Sequence, residues 1–210
     1  MPEGINMGLH ELVRKNRSYR RFCQDERITD TQLLEMIDLA RLSASGMNKQ
    51  ALKFVIINSP GDCERVFPSA IWAGYLEGWD GPQEGERPAA YIIILGDKEL
   101  SAAFGVDHGI AAQSILLGAV EKGLGGCMIG SIRRKELRKD LNIPERYEIL
   151  LLIALGKPGE EVLIDELQNN DIKYWRDEKG VHHVPKRSLD DMVIGPGEFL
   201  PLSSPYRKQP

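Results

Sequence analysis

Apolar residues recur along this chain at two periods. Leu9, Leu12 and Val13 keep helical spacing and predict a first helix over about residues 6–16. ITDTQLLEMIDLARLSAS then sets Leu33, Leu34, Ile37, Leu39 and Ala40 on a second helical stripe. Thr29, followed three residues later by Gln32, has the form of a capping box, in which each side chain satisfies the other residue's free backbone amide. That helix runs out in the small residues Ser43-Ala44-Ser45-Gly46. Phe54-Val55-Ile56-Ile57 predicts a short strand, stopped by Asn58-Ser59-Pro60-Gly61. Ala90 to Leu95 is apolar at every position, as in a central strand buried on both faces. HGIAAQSILLGAVEK predicts a long helix over about 108–122, capped by Asp107, and its many small residues predict close packing on more than one side. GLGGCMIGSI reads as a Gly-rich loop, Arg133 to Leu141 as a short basic helix and Glu148 to Leu155 as a further strand. Four prolines among the last fifteen residues predict an extended C-terminal arm from about residue 194. The order helix, helix, strand, strand, helix, strand indicates α+β rather than regular βαβ alternation, and one domain over 1–210 is the economical organisation.

Composition narrows the function. The 210 residues carry a formal net charge of -4, which argues against bulk attraction to nucleic acid or anionic lipid. The longest apolar run, Ile149 to Leu155, is far shorter than the ~18 residues of a membrane span. The N-terminus has no apolar core of a secretory signal, and Cys23, Cys63 and Cys127 are too far apart for a zinc site or a disulfide framework. A cytoplasmic protein with reduced thiols, binding neither membrane nor nucleic acid, is expected. His182 and His183 point to opposite faces if their segment is extended, so no metal is expected there. Glu160-Glu161 and Asp190-Asp191 read as solvated loops or helix starts. Walker A, dinucleotide-fingerprint, zincin and hydrolase signatures are absent.

Against that acidic background, RKNRSYRRF at residues 14–22 gathers five Lys or Arg in nine positions. Alone it reads as a solvated helix end. It is one of five segments that together resemble the FMN-dependent nitroreductase family: Arg17-Ser18-Tyr19-Arg20-Arg21-Phe22; Ala40 to Gln50; Gly123 to Ile132; Ala154-Leu155-Gly156-Lys157-Pro158; and Val184-Pro185-Lys186-Arg187. The resemblance implies a three-layer α/β/α sandwich around a central mixed, mostly antiparallel sheet, and a homodimer with FMN at its interface. It implies NADH or NADPH as co-substrate, and alternate reduction of small electron acceptors such as nitroaromatics or quinones. By this match Arg17 and Ser18, with Lys186 and Arg187, hold the phosphate, with Tyr19 in the same segment. Arg20 stands near the N1/O2 edge of the flavin. Ser45 and Asn48 lie along the ring from the other subunit, and Ile129, Gly130 and Ser131 cover one face and aim an amide at N5. No catalytic side chain is expected, because the flavin carries the chemistry, supported by Arg20 and the backbone of Gly130 and Ser131. The glycines Gly125, Gly126 and Gly130 are expected to admit close approach to the ring.

Asn16 departs from the family's first Arg, Ala44 and Met128 from its commoner Pro and Trp, and Ala51-Leu52 from Pro-Trp. The last three bear on the substrate pocket, and Asn16 on a ring or ribityl contact. Two further readings stay open at this point: a flavin-dependent dehalogenase or flavin-degrading relative, and, in another class, a basic-arm nucleic-acid-binding or regulatory module.

Overall fold

The computed structural model describes residues 7–195, and the chain divides into two compact units between Glu160 and Glu161. The first unit is built on four strands, β1 (Leu52–Ile57), β2 (Ala90–Asp97), β3 (Gly125–Ile129) and β4 (Tyr147–Gly156), in the order β1-β2-β4-β3 with every pair antiparallel. A parallel bridge from Ser18 to Gly126 extends this sheet beyond β3, so it is mixed but mostly antiparallel.

Strand alternation sorts the core into two faces. Tyr91, Ile93 and Leu95 of β2 face one apolar cluster, and Ala90, Ile92 and Ile94 face the other. Helices α2 (Asp30–Leu42) and α4 (Asp107–Glu121) cover the second face through Leu33, Met36, Ala40, Ala112 and Ile115. Helices α3 (Pro60–Val66) and α5 (Arg134–Asp140) cover the first through Cys63, Val66 and Leu137. The unit is therefore a three-layer α/β/α sandwich of the α+β class.

The Thr29 capping box forms, with Gln32 N donating to Thr29 Oγ1 at 3.2 Å and Thr29 N to Gln32 Oε1 at 3.0 Å. Leu33, Met36 and Ala40 turn inward, whereas Leu34 and Leu39 stay exposed, so the buried stripe is narrower than the apolar run suggests. Small residues on α4 do serve close packing: a Cβ on Gly118 would lie 2.5 Å from Leu39 Cδ1 of α2. Helix α1 (Leu9–Lys15) lies within the first predicted helix.

Three local expectations are corrected. Gly125–Ile129 is a strand, not a loop. A Cβ on Gly125 would meet Tyr19 Cδ2 at 2.5 Å, and one on Gly126 would meet Ala154 O at 2.5 Å. These glycines are set by packing inside the protein, and glycine's weak strand preference hid the element. Asp107 does not cap α4. Val106 holds the cap position, and Asp107 is the first helical residue with its carboxylate turned toward another loop. Ser59-Pro60-Gly61 begins α3 rather than ending in a turn, with Ser59 as N-cap and Pro60 in the first turn.

The second unit holds a three-stranded sheet, β5 (Val162–Glu166), β6 (Trp175–Arg176) and β7 (His182–Lys186), in the order β5-β7-β6, and a short helix α6 (Leu189–Met192). His182 and His183 do face opposite ways. His182 is buried beside Tyr174, while His183 stacks on Trp175 at 4.2 Å and reaches Asp165 through Nδ1 at 2.8 Å. Beyond Gly195 the expected arm lies outside the described residues.

Candidate functional site

The basic segment leaves α1 as an extended strip laid along β3 and the end of β4. Tyr19 N donates to Gly126 O at 3.1 Å, and Phe22, itself buried, bridges Pro158 antiparallel. Between these anchors Glu160 Oε1 accepts from the amides of Arg20 at 2.5 Å and Arg21 at 3.0 Å. Glu160 is thus a clamp and not a solvated loop carboxylate, which corrects its reading from sequence. Asp190 and Asp191 do stand at a helix start, where Ser188 caps the Asp191 amide.

Once the strip is fixed, its charges separate. Lys15 pairs with Glu11 at 2.9 Å, and Arg21 pairs with Glu86 at 3.3 Å. Arg17 donates through Nη2 to Val13 O at 2.7 Å, while its Nε is buried without a hydrogen-bond partner. Burial pushes the Arg17 guanidinium below its usual value. Arg20 donates to Ser18 O at 3.2 Å. Burial raises the Cys127 thiol, an effect that the nearby charge of Arg20 opposes.

A second group forms around residues 43–50. Met47, Asn48 and Gln50 all lie in the left-handed region, with φ of 53°, 53° and 50°. Asn adopts this region readily; Met and Gln there cost on the order of 1 kcal/mol or more each, so the loop needs external support. Asp107 supplies it, accepting from Ser45 Oγ at 2.7 Å and from Gly46 N at 3.0 Å. Ser45 Oγ also accepts from Gln50 N at 3.0 Å, closing the loop on itself. The Gly46 amide and the Ser45 hydroxyl hold the Asp107 carboxyl below its ordinary value. Ser45, Asn48, Leu52, Phe54 and Asp107 line a cavity of about 340 Å³.

At the far end of β3, Ile129 is buried and Gly130 and Ser131 are exposed. Ser131 O accepts from Ile71 N at 3.0 Å, and Arg134 Nη2 donates to Gly130 O at 3.2 Å. A Cβ on Gly130 would meet nothing within 4 Å, so the space beside it is open.

The sequence-derived residues therefore fall into groups. Arg17, Ser18, Tyr19 and Arg20 lie against the start of β3, whose last residue is Ile129, with Gly130 and Ser131 just beyond it. Ser45 and Asn48 sit on the loop held by the first turn of α4. Lys186 ends β7 in the second unit, where Arg187 Nη1 donates to Asn170 Oδ1 at 3.2 Å. Sequence reasoning missed Asp107, Glu160 and Arg134 as supporting residues. Each acts on backbone or loop atoms that folding brings to it, so no local pattern marks it. Among the described residues no group of His, Cys, Asp and Glu could hold a metal ion, and no helix is long and apolar enough to cross a membrane.

The chain as a whole has known relatives. The chain is 41% identical over 170 residues to the NADPH-flavin oxidoreductase of Vibrio harveyi, an alignment covering 71% of this chain and 65% of that one. It is 24% identical over 169 residues to an iodotyrosine deiodinase of Thermotoga neapolitana, covering 72% and 89%. An FMN-dependent nitroreductase structure from Clostridium difficile R20291 shares the fold with a TM-score of 0.58 at 24% identity, covering 71% of this chain and 87% of that one. The sequence model of the nitroreductase family matches residues 13–157, well over half of the chain and all of the β3 groups described above. The chain belongs to the nitroreductase family.

Proposed function

We propose that this protein is an FMN-dependent oxidoreductase that uses NADH or NADPH to reduce electron-poor small molecules, such as nitroaromatics or quinones, in a ping-pong cycle. The observation that carries this reading is the Arg17–Arg20 strip, hydrogen-bonded along Gly126 and holding a buried, unpaired guanidinium N–H at Arg17. A buried donor without a partner costs about 1–3 kcal/mol, and a phosphate oxygen would satisfy it with a charge-assisted bond. The donor set fits the cofactor in other respects too. Ser18 is an exposed neutral donor on the same strip, and the loop of Ser45 and Asn48 lines a cavity large enough for part of a ligand. Lys186 and Arg187 are further basic residues proposed for the phosphate.

When bound, FMN supplies the redox chemistry, taking hydride from NAD(P)H and passing electrons to an acceptor that enters the same cleft. The chain's residues bind and orient. Arg17 offsets the phosphate charge, and the Ser18 hydroxyl adds a neutral hydrogen bond to it. Arg20 provides positive charge where reduction leaves negative charge, a form of electrostatic preorganisation. The Gly130–Ser131 backbone offers an open face for a flat ring. The Ser45–Asn48 loop serves the second subunit's site in a homodimer. Exposed apolar residues on the helices, such as Leu9 and Leu42, support that assembly. The free thiols of Cys23, Cys63 and Cys127 support a cytoplasmic setting.

Initial rates with FMN-loaded protein, NADPH or NADH and a quinone or nitroaromatic acceptor test this reading. Parallel double-reciprocal lines are expected; converging lines contradict the ping-pong order, and absence of turnover with both acceptor classes contradicts the reaction. The likeness to an iodotyrosine deiodinase favours a second reading, reductive dehalogenation. A halotyrosine added to the same assay separates the two by halide release.

A further inference from the structure

Arg134 opens α5, yet its guanidinium reaches back to the sheet. Nε donates to Ile149 O at 2.9 Å, and Nη2 donates to Leu150 O at 3.3 Å and Gly130 O at 3.2 Å. Two of these acceptors lie at a bulge in β4. The register passes from Ile94 opposite Leu151 to Leu95 opposite Ile149, leaving Leu150 as the extra residue. A bulge removes groups from the ladder, and a planar fork can take up the carbonyls it leaves. The same fork ties the bulge to the turn that follows β3.

The tie has a directional consequence. The Gly130–Ser131 peptide is trans, so the N–H of Ser131 projects opposite to the Gly130 carbonyl that Arg134 holds. Ile71 N anchors the next carbonyl, that of Ser131, at 3.0 Å. The Ser131 amide is therefore turned away from Arg134 on a segment whose two residues are both exposed, beside a Gly130 with open space above its Cα.

We infer that Arg134 is a positioning residue: from behind the strand it fixes the direction of the Ser131 amide and so sets how strongly the site prefers oxidised over reduced FMN. This rests on the FMN site proposed above. The chemical reason is that N5 of oxidised flavin is a bare acceptor, whereas reduced N5 carries a hydrogen. A fixed N–H facing it therefore stabilises the oxidised form more. Arg134 itself touches neither flavin nor substrate.

The test uses the full chain loaded with FMN, as wild type, Arg134→Gln and Arg134→Lys. Three quantities are read: the dissociation constant of oxidised FMN, the midpoint potential against reference dyes, and Tm. Arg134→Gln is expected to weaken oxidised FMN about tenfold, roughly one hydrogen bond, with less effect on the reduced form. A tenfold difference raises a two-electron potential by about 30 mV. Arg134→Lys, able to reach fewer of the carbonyls at once, shifts it in the same direction by less; if the Gln variant does not fold, the Lys variant carries the test. Both variants at the wild-type potential, whatever their Tm, overturn the inference while leaving the FMN site standing. A wild-type protein that binds no FMN removes the site itself, and the inference with it.

Discussion

Arg17 and Arg20 stand three residues apart on one extended strip but meet different surroundings. Arg17 is part-buried with an unpaired Nε, whereas Arg20 lies beside Ser18 O and the Cys127 thiol. Arg17→Ala is expected to weaken FMN binding by roughly 10- to 100-fold, the value of a hydrogen bond to a charged group, with little change in the rate of flavin reduction. Arg20→Ala is expected to slow reduction by about 100-fold and to spare FMN affinity. Fluorescence titration and anaerobic stopped flow separate the two, and equal losses of affinity with normal reduction contradict the division. Asp107 governs the loop of left-handed residues, so Asp107→Ala should weaken FMN about tenfold, again one hydrogen bond's worth. Its depressed folded value fixes the sign of the pH effect. The Asp107 bonds contribute fully above the unfolded value of about 3.9 and are lost as pH falls through the lower folded value. The stability that Asp107 adds, read as the difference in urea unfolding between wild type and Asp107→Ala, should therefore hold steady from neutral to about pH 5, and a fall in that difference near pH 6 contradicts it. At this scale the sequence exposes the residues that meet the ligand, because charge and a motif mark them. It hides Asp107 and Glu160, whose partners lie far along the chain, the Arg20 amide being 140 positions from Glu160, and Arg134, which acts on backbone carbonyls that no motif marks.

Elements were legible where period and burial agreed. β2 is buried at all eight positions, and its unbroken apolar run announces a central strand. The capping box marks the start of α2 to the residue. β3 was hidden for the opposite reason, since Gly125 and Gly126 are too poor in strand preference to signal one. The close approach of Tyr19 and of the Ala154 carbonyl nevertheless demands them. Gly126→Ala places a methyl 2.5 Å from a backbone oxygen that cannot move aside cheaply, and overpacking of this kind costs about 1–3 kcal/mol. Urea unfolding should show that loss, and because Ser18 bridges Gly126, FMN affinity should fall with it. Unchanged stability contradicts the strand packing. By contrast Thr29→Ala removes only the cap of α2 and should cost about 1 kcal/mol without touching FMN affinity. The strands β5 to β7 were missed because they are short and half exposed, and so carry no clean alternation.

For the whole molecule, family membership and the α/β/α sandwich stand on the match over residues 13–157 and on the sheet order. The positive charge clustered in an acidic protein has a local cause under this account: a dianionic cofactor must be held at one strip, and the remaining surface need not be basic. A homodimer is expected in solution, and sedimentation should report about twice the 23.5 kDa of one chain. The most direct measurement is the absorption spectrum of the purified protein, before and after FMN is added and removed by gel filtration. A yellow protein is expected, whose released chromophore is FMN, retained near one per chain and bleached anaerobically by NADH or NADPH. A colourless protein that retains no added FMN contradicts it.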